Sequence, residues 1–113
     1  MKRDDAVFFE DILENITLIE ESTKSISEID FNMNRLLIDA TVRRLEIIGE
    51  AVKHISKSTR EKYSEVEWRG VAGFRDIMIH EYFGVKIEKV WNVIKEDLPK
   101  LKKQIQGIKK DLQ

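Results

Sequence analysis

Apolar residues recur at intervals of three and four along most of this 113-residue chain, the spacing of amphipathic α-helices. The sequence holds five glycines, one proline and no cysteine, so little interrupts such helices, and disulfides and thiol-ligated metals are excluded. Hydrophobic residues make up 42% of the chain and charged residues 36%, a balance typical of soluble helical proteins. We therefore predict an all-α fold, a four- to five-helix up-down bundle that spans residues 1–113 as a single domain.

Capping residues and weak helix formers give the boundaries of the first two helices. Asp4 or Asp5 can cap the first helix, which should fade through residues 22–29 because serine and threonine lower helix propensity there. Asp30 or Asn32 can start a long second helix. The residues predicted to form its buried face are Met33, Leu36, Leu37, Ala40, Leu45, Ile48, Val52 and Ile55.

The second half of the chain contains two or three further helices. Gly49, inside the second helix, indicates a close approach by another helix. A third helix is predicted to begin at residues 67–69 and to end near Gly84. Pro99 either kinks the fourth helix or opens a fifth, with Asp97 as its cap. Core packing is predicted for both tryptophans and for two methionines, Trp68, Trp91, Met33 and Met78.

The net charge of −1 conceals an uneven distribution along the chain. Residues 1–30 carry three Lys/Arg and nine Asp/Glu, whereas residues 31–113 carry seventeen and twelve. A phosphate-bearing partner would therefore prefer the later region, although both regions also fit solvated helix faces. No apolar run reaches the length of a membrane span and residues 1–5 lack the apolar core of a signal peptide, so we expect a cytoplasmic protein without membrane association.

The candidate functional residues lie within one stretch of eight, which contains Arg75, Asp76, His80 and Tyr82. Asp76 and His80 are four residues apart, so on a helix the carboxylate can orient the imidazole. Arg75 would lie roughly 140° around the helix from His80, so one helix cannot aim both at the same atom. This geometry favours a composite site in which two copies of the chain face each other across one cleft.

A composite site of this kind suits metal-independent cleavage of RNA. One histidine can take the proton of the 2′-hydroxyl and the other can protonate the leaving 5′ oxygen, while Arg75 binds the phosphate. From spacing alone, the same residues also fit a surface ion pair beside a partly buried aromatic ring. His54 follows Glu50 by four residues and is interpreted as an ordinary helix pair. No metal-ligand spacing occurs, so neither a metal nor a cofactor is expected.

Around these residues the chain resembles the HEPN family, the higher eukaryote and prokaryote nucleotide-binding domains. The mark of that family is Arg-x4-His with a tyrosine two residues on, which Arg75, His80 and Tyr82 match, and Asp76 matches the polar residue that follows the arginine. The wider resemblance is to the compact HepT-like branch and covers roughly residues 5–106. The segments that carry it are residues 44–51, 68–69, 72–75, 80–83, 90–91 and 97–99.

The resemblance implies a HEPN-like helical domain that forms a homodimer through its motif-bearing helices. It implies an endoribonuclease toxin with Arg75 and His80 as the catalytic pair and Asp76 in support. Its implied partner is an MNT-type nucleotidyltransferase antitoxin, which would silence the toxin by adenylylating Tyr82. Two alternatives stay open: a non-catalytic HEPN module that binds a nucleotide or a nucleotidyltransferase as a scaffold, and a plain helical interaction protein.

Overall fold

The computed structural model describes residues 3–75 and 87–112, and the secondary structure in these two ranges is entirely helical. The helices are α1 (Arg3–Thr23), α2 (Glu28–Asn32), α3 (Arg35–Lys53), α4 (Lys57–Lys62), α5 (Trp68–Ala72), α6 (Ile87–Asn92) and α7 (Leu98–Asp111). A π-helical segment, Val93–Asp97, joins α6 to α7 without a break. The predicted all-α fold is confirmed. Among the described helices, none is both long enough and apolar enough to cross a membrane.

Helix α7 runs antiparallel to α1, as an up-down bundle requires. Lys102, near the start of α7, pairs with Glu20 near the end of α1 at 2.7 Å. Lys109, near the end of α7, pairs with Glu10 in the first half of α1. The acidic first thirty residues therefore face lysines of the basic region. These lysines, which the sequence predicted would favour a phosphate-bearing partner, are instead paired with glutamates of the same chain.

A single apolar core lies between the long helices. Its fully buried side chains come from α1, α2, α3, α7 and the segment after α3: Phe9, Ile12, Ile16, Ile19, Phe31, Ile38, Leu45, Ile48, Ile55, Leu98 and Ile105. Trp68 is buried, as predicted, and its indole N–H donates to the Tyr63 carbonyl at 2.9 Å. Trp91 is only partly buried, and its ring packs 5.3 Å from that of Phe31.

The predicted long second helix is wrong in its start, because a separate short helix, α2, precedes the long helix α3. Ser27 caps α2 by accepting the Asp30 backbone N–H at 3.1 Å. Asn34 caps α3 by accepting the Leu37 backbone N–H, also at 3.1 Å. The predicted starts, Asp30 and Asn32, instead lie inside α2, since the short polar residues that precede each segment supply better caps.

The break between α2 and α3 also corrects the predicted buried face. Met33 and Leu36 are 82% and 83% exposed, although the helical spacing predicted both in the core. Met33 lies between α2 and α3, and Leu36, in the first turn of α3, lies roughly 180° around that helix from the buried Leu45. Ile38 and Val42 are buried in α3 instead, together with Leu45.

The predicted third helix is interrupted at Gly73. Helix α5 ends at Ala72 with Gly73 as its C-cap, and helical conformation resumes at Phe74 and Arg75. The rest of that predicted helix, including Met78 and its predicted stop at Gly84, lies outside the described residues.

Of the two alternatives predicted for Pro99, the structure shows the opening of a further helix, because Pro99 lies in the first turn of α7, where a residue without an N–H is tolerated. Asp97 does not cap α7. Its own backbone is helical, with φ −80° and ψ −42°, and its side chain makes no capping hydrogen bond. The π-helical segment carries the chain into α7 without the turn that a cap would occupy.

Asp5 links the start of α1 to the start of α4. Both Asp4 and Asp5 lie inside α1, so the prediction that they cap it is wrong. Asp5 is 1% exposed, and its carboxylate accepts hydrogen bonds from the Ser56 N–H at 2.9 Å, the Ser56 hydroxyl at 2.7 Å and the Thr59 hydroxyl at 2.6 Å. Because Ser56 follows the end of α3, these bonds also fix α1 antiparallel to α3.

We expect Asp5→Ala to lower the free energy of unfolding by about 2–3 kcal/mol, because hydrogen bonds to a buried carboxylate are strong and their donors would lose their acceptor. Asp4→Ala, an exposed neighbour in the same turn, should change it by no more than about 0.5 kcal/mol. Urea denaturation of both variants measures the difference, and equal effects would contradict the role assigned to Asp5.

Gly49 allows the close helix approach that its position predicted. A Cβ atom built on Gly49 would lie 3.1 Å from the Ala72 carbonyl oxygen, 3.2 Å from the Arg75 backbone nitrogen and 3.3 Å from the Val71 carbonyl oxygen. All three atoms belong to the backbone in and after α5, which cannot rotate away as a side chain would. The absence of a side chain at Gly49 therefore sets how closely the α5 segment packs on α3.

Gly49→Ala should destabilise the fold by about 1–3 kcal/mol, because the strain against the α5 backbone exceeds the gain in helix propensity. Gly107→Ala is the matched control, since a Cβ there meets nothing within 4 Å, and it should stabilise the fold by about 0.5–1 kcal/mol. Opposite signs in thermal denaturation are expected, and stabilisation by both substitutions would contradict the close packing.

Candidate active site

Arg75 is the one residue of the sequence-predicted site that lies within the described part of the chain. The preceding residue, Phe74, is 6% exposed and anchors the segment in the core. The Arg75 backbone lies against Gly49 of α3, and its side chain is 45% exposed. The α3–α5 contact therefore presents a solvent-accessible guanidinium beside the C-terminal half of α3.

Glu50 binds the guanidinium of Arg75. Glu50 Oε2 accepts a hydrogen bond from Arg75 Nη1 at 2.7 Å, the short distance of a charge-assisted bond. The other carboxylate oxygen, Oε1, lies 3.6 Å from His54 Nε2, one helical turn further along α3. The predicted Glu50–His54 helix pair is confirmed as a contact, but the same carboxylate also holds Arg75.

His54 is fixed by an aromatic neighbour from α1. Its imidazole stacks on the ring of Phe8, with the centroids 4.9 Å apart and the planes inclined by 14°. The His54 side chain is nonetheless 55% exposed. Stacking therefore restrains the ring plane while leaving the imidazole accessible to solvent.

These residues line a cleft of about 390 Å³ between α1, α3 and the α5 segment. Its lining includes the charged side chains of Asp11, Arg43, Glu46, Glu50 and Arg75, and the imidazole of His54. Arg43 Nη1 lies 3.6 Å from Glu46 Oε2, so both arginines of the cleft face a carboxylate. The cleft can bind an anion through guanidinium groups, and its carboxylates oppose non-specific anion binding.

A larger cavity of about 570 Å³ lies between α5 and the α6–α7 run. Its walls include the apolar side chains of Val71, Phe74, Val93 and Leu101. Burial, followed by the charge of Glu96, raises the pKa of Asp97 at its rim, and Lys100 partly opposes that rise. We place the candidate site in the smaller cleft because that cleft contains Arg75 and the charged groups around it.

The three other predicted site residues, Asp76, His80 and Tyr82, lie outside the described residues, so their predicted roles stay predictions. The structure places Glu50 and His54 beside Arg75. Sequence spacing had assigned these two residues to an isolated helix pair. The available signal was Gly49, which predicted a close approach by another helix without identifying it; in the structure the approaching segment carries Arg75. Within residues 3–75 and 87–112, no group of three His, Cys, Asp or Glu side chains is arranged to hold a metal ion.

Comparisons with known proteins agree on one family. Residues 12–108 match the family model described as "Ribonuclease HepT-like". The chain is 43% identical over 110 residues to "Probable ribonuclease HepT" of Thermococcus cleftensis, covering 97% of this chain and 100% of the relative. It is 46% identical over 101 residues to a "Putative RNase" of Caldanaerobacter subterraneus, covering 89% and 90% respectively.

A further relative is longer than this chain. The "Gamma-glutamylcyclotransferase and putative RNase" of Methanocaldococcus jannaschii is 46% identical over 112 residues, which are 99% of this chain but 50% of the relative. The chain thus spans half the length of that relative. No solved structure matches the chain. Because the family model matches most of the chain and both of these shorter relatives align along nearly their whole length, the chain belongs to the HepT-like ribonuclease family.

Proposed function

We propose that this protein is a metal-independent endoribonuclease in which Arg75 and His80 act on the RNA phosphodiester. The proposal is supported by membership in the HepT-like ribonuclease family and by relatives whose names include RNase. The structural observation that carries it is the position of Arg75, whose exposed guanidinium is held in a polar cleft. A planar guanidinium that stays charged suits a phosphate on which negative charge develops.

The proposed reaction needs two proton transfers and no metal. One His80 imidazole accepts the proton of the 2′-hydroxyl, and the 2′ oxygen attacks the phosphorus. The bond from phosphorus to the 5′ oxygen then breaks, and a second imidazole donates a proton to that leaving oxygen. The products are a 2′,3′-cyclic phosphate and a 5′-hydroxyl, and Arg75 stabilises the charge on the non-bridging oxygens.

Two His80 imidazoles at one phosphate require two copies of the chain, so we propose a homodimer through the motif-bearing helices. Asp76 would orient His80 within each copy. The remaining parts of the proposal are a single HEPN-like domain over residues 1–113, a cytoplasmic location, a toxin role and an MNT-type nucleotidyltransferase antitoxin. That antitoxin would adenylylate Tyr82. The phosphate of the adenylyl group would then lie against Arg75 and compete with the RNA phosphate for it.

His80→Ala and Arg75→Ala should each lower RNA cleavage by about two to four orders of magnitude while helical content stays unchanged. Arg75→Lys keeps the charge but loses the planar fork, so it should retain only part of the activity. Cleavage of a labelled RNA, measured with and without EDTA, tests both residues and the metal independence. Cleavage that EDTA stops and His80→Ala leaves intact would contradict the mechanism.

Mixing wild-type protein with an excess of His80→Ala tests the dimeric site in the same assay. A mixed dimer retains one His80 imidazole, which cannot act as base and acid together, so cleavage should fall further than dilution of the wild-type protein alone predicts. Light scattering that shows an active monomer at micromolar concentration would contradict the composite site. RNA binding by the wild-type protein without any cleavage would favour the non-catalytic scaffold function instead.

Tyr82→Phe should keep most of the nuclease activity, because the phenol has no proton-transfer role in the proposed reaction, but it should escape modification. Intact-mass spectrometry after incubation with an MNT-type transferase and ATP measures the adenylyl increment. An increment that persists in Tyr82→Phe, or modification of Tyr82 that leaves RNA cleavage unchanged, would contradict the proposed control.

A further inference from the structure

Glu50 contacts Arg75 directly, and it belongs to α3 whereas Arg75 follows α5. We propose that Glu50 is a positioning residue for Arg75: it aims the guanidinium into the cleft and its charge limits how tightly the site holds phosphate. This inference rests on the proposed function in taking Arg75 as the group that binds the scissile phosphate. It adds to that function a residue 25 positions away in sequence.

The geometry leaves the guanidinium able to bind Glu50 and phosphate together. An arginine side chain offers five N–H donors in one plane, and the Glu50 contact engages a single nitrogen, Nη1, at 2.7 Å. The remaining donors include a second edge of the plane, which matches two oxygens of a phosphate. A carboxylate on one edge therefore fixes the orientation of the other edge.

Both partners of this ion pair are placed by the same backbone contact. Gly49 precedes Glu50, and the Arg75 backbone nitrogen packs against Gly49. His54 stacks on Phe8, and its Nε2 lies 3.6 Å from Oε1 of Glu50, the carboxylate oxygen that does not bind Arg75. Arg75 and Glu50 are each about half exposed. Without these contacts, both side chains would be mobile in solvent.

The charge of Glu50 has a second, opposite consequence for substrate. A carboxylate beside the guanidinium repels the phosphate that the guanidinium attracts. The other charged groups that face the cleft are Asp11, Glu46 and Arg43, with Arg43 paired to Glu46. Orientation and repulsion thus act on different kinetic constants: loss of orientation lowers kcat, whereas loss of repulsion lowers KM.

Two substitutions separate these effects. Glu50→Gln removes the charge but keeps an oxygen that can accept the bond from Nη1, so KM should fall about threefold while kcat stays within about threefold of wild type. Glu50→Ala removes charge and acceptor together, so kcat should fall by about tenfold or more without a rise in KM. The matched control is Glu61→Gln, which removes the same charge from an exposed ion pair with Lys57 and should change neither constant.

A spectroscopic signal of Arg75 reports the contact without any substrate. The side-chain N–H resonances of Arg75, assigned with Arg75→Lys, should show restricted rotation of the guanidinium in wild type and in Glu61→Gln. Restriction should be partly kept in Glu50→Gln and lost in Glu50→Ala. This readout keeps the inference testable if either variant is less stable, because it is measured on the folded fraction.

The outcomes distinguish this inference from the proposed function. If wild-type protein cleaves no RNA, the proposed function fails, and the Arg75 resonances still decide whether Glu50 positions the guanidinium. If wild-type protein cleaves RNA but Glu50→Ala keeps full kcat, or if Arg75 rotates as freely in wild type as in Glu50→Ala, Glu50 is not a positioning residue. A fall in kcat alone for Glu50→Ala, with the conservative Glu50→Gln restoring most of it, supports the inference.

Discussion

The close contact between α3 and the α5 segment at Gly49 determines where the charged groups of the candidate site lie. Backbone atoms of Val71, Ala72 and Arg75 approach the glycine to distances that leave no room for a side chain. The contact brings Arg75 beside Glu50, and the burial of Phe74 keeps the segment from sliding. The steric constraint at Gly49 thus sets both the packing of α5 on α3 and the position of Arg75, the candidate phosphate-binding residue.

Electrostatic compensation is the second constraint, and it works at two levels. Across the bundle, lysines of α7 pair with glutamates of the acidic α1, which reduces the positive field available to a nucleic acid. Within the cleft, Glu46 and Glu50 each face an arginine. Binding of RNA would therefore depend on a few well-placed guanidinium groups rather than on a broad basic surface, which suits a site that acts at a single phosphate.

The sequence predicted those features that depend on local spacing. The periodicity of α1, the all-α class and the close approach at Gly49 follow from residues within a few turns of one another. The break before α3 escaped prediction because the apolar Met33 continues the helical spacing, although the caps at Ser27 and Asn34 begin two separate helices and Met33 lies exposed between them. Local spacing contains no signal for such a break.

Long-range pairing explains the rest of what sequence reasoning missed. Asp5 resembles a helix cap by position, but its carboxylate accepts hydrogen bonds from Ser56 and Thr59, which lie 51 and 54 residues away. Glu50 resembles half of an ordinary helix pair, but its stronger contact is with an arginine from another segment. Each polar group had an adequate local explanation, and only the packed structure distinguishes that explanation from the contact actually made.

In the proposed mechanism, the Arg75 cleft belongs to a site that cleaves RNA with the RNA's own 2′-hydroxyl as the nucleophile. The most direct measurement uses a labelled RNA and the same RNA with 2′-deoxy nucleotides at its mapped cleavage positions. Both RNAs should bind with similar affinity. The unmodified strand should yield 2′,3′-cyclic phosphate ends, and the substituted strand should stay intact at those positions. Cleavage at a 2′-deoxy position would contradict the mechanism, because no internal nucleophile would be present there.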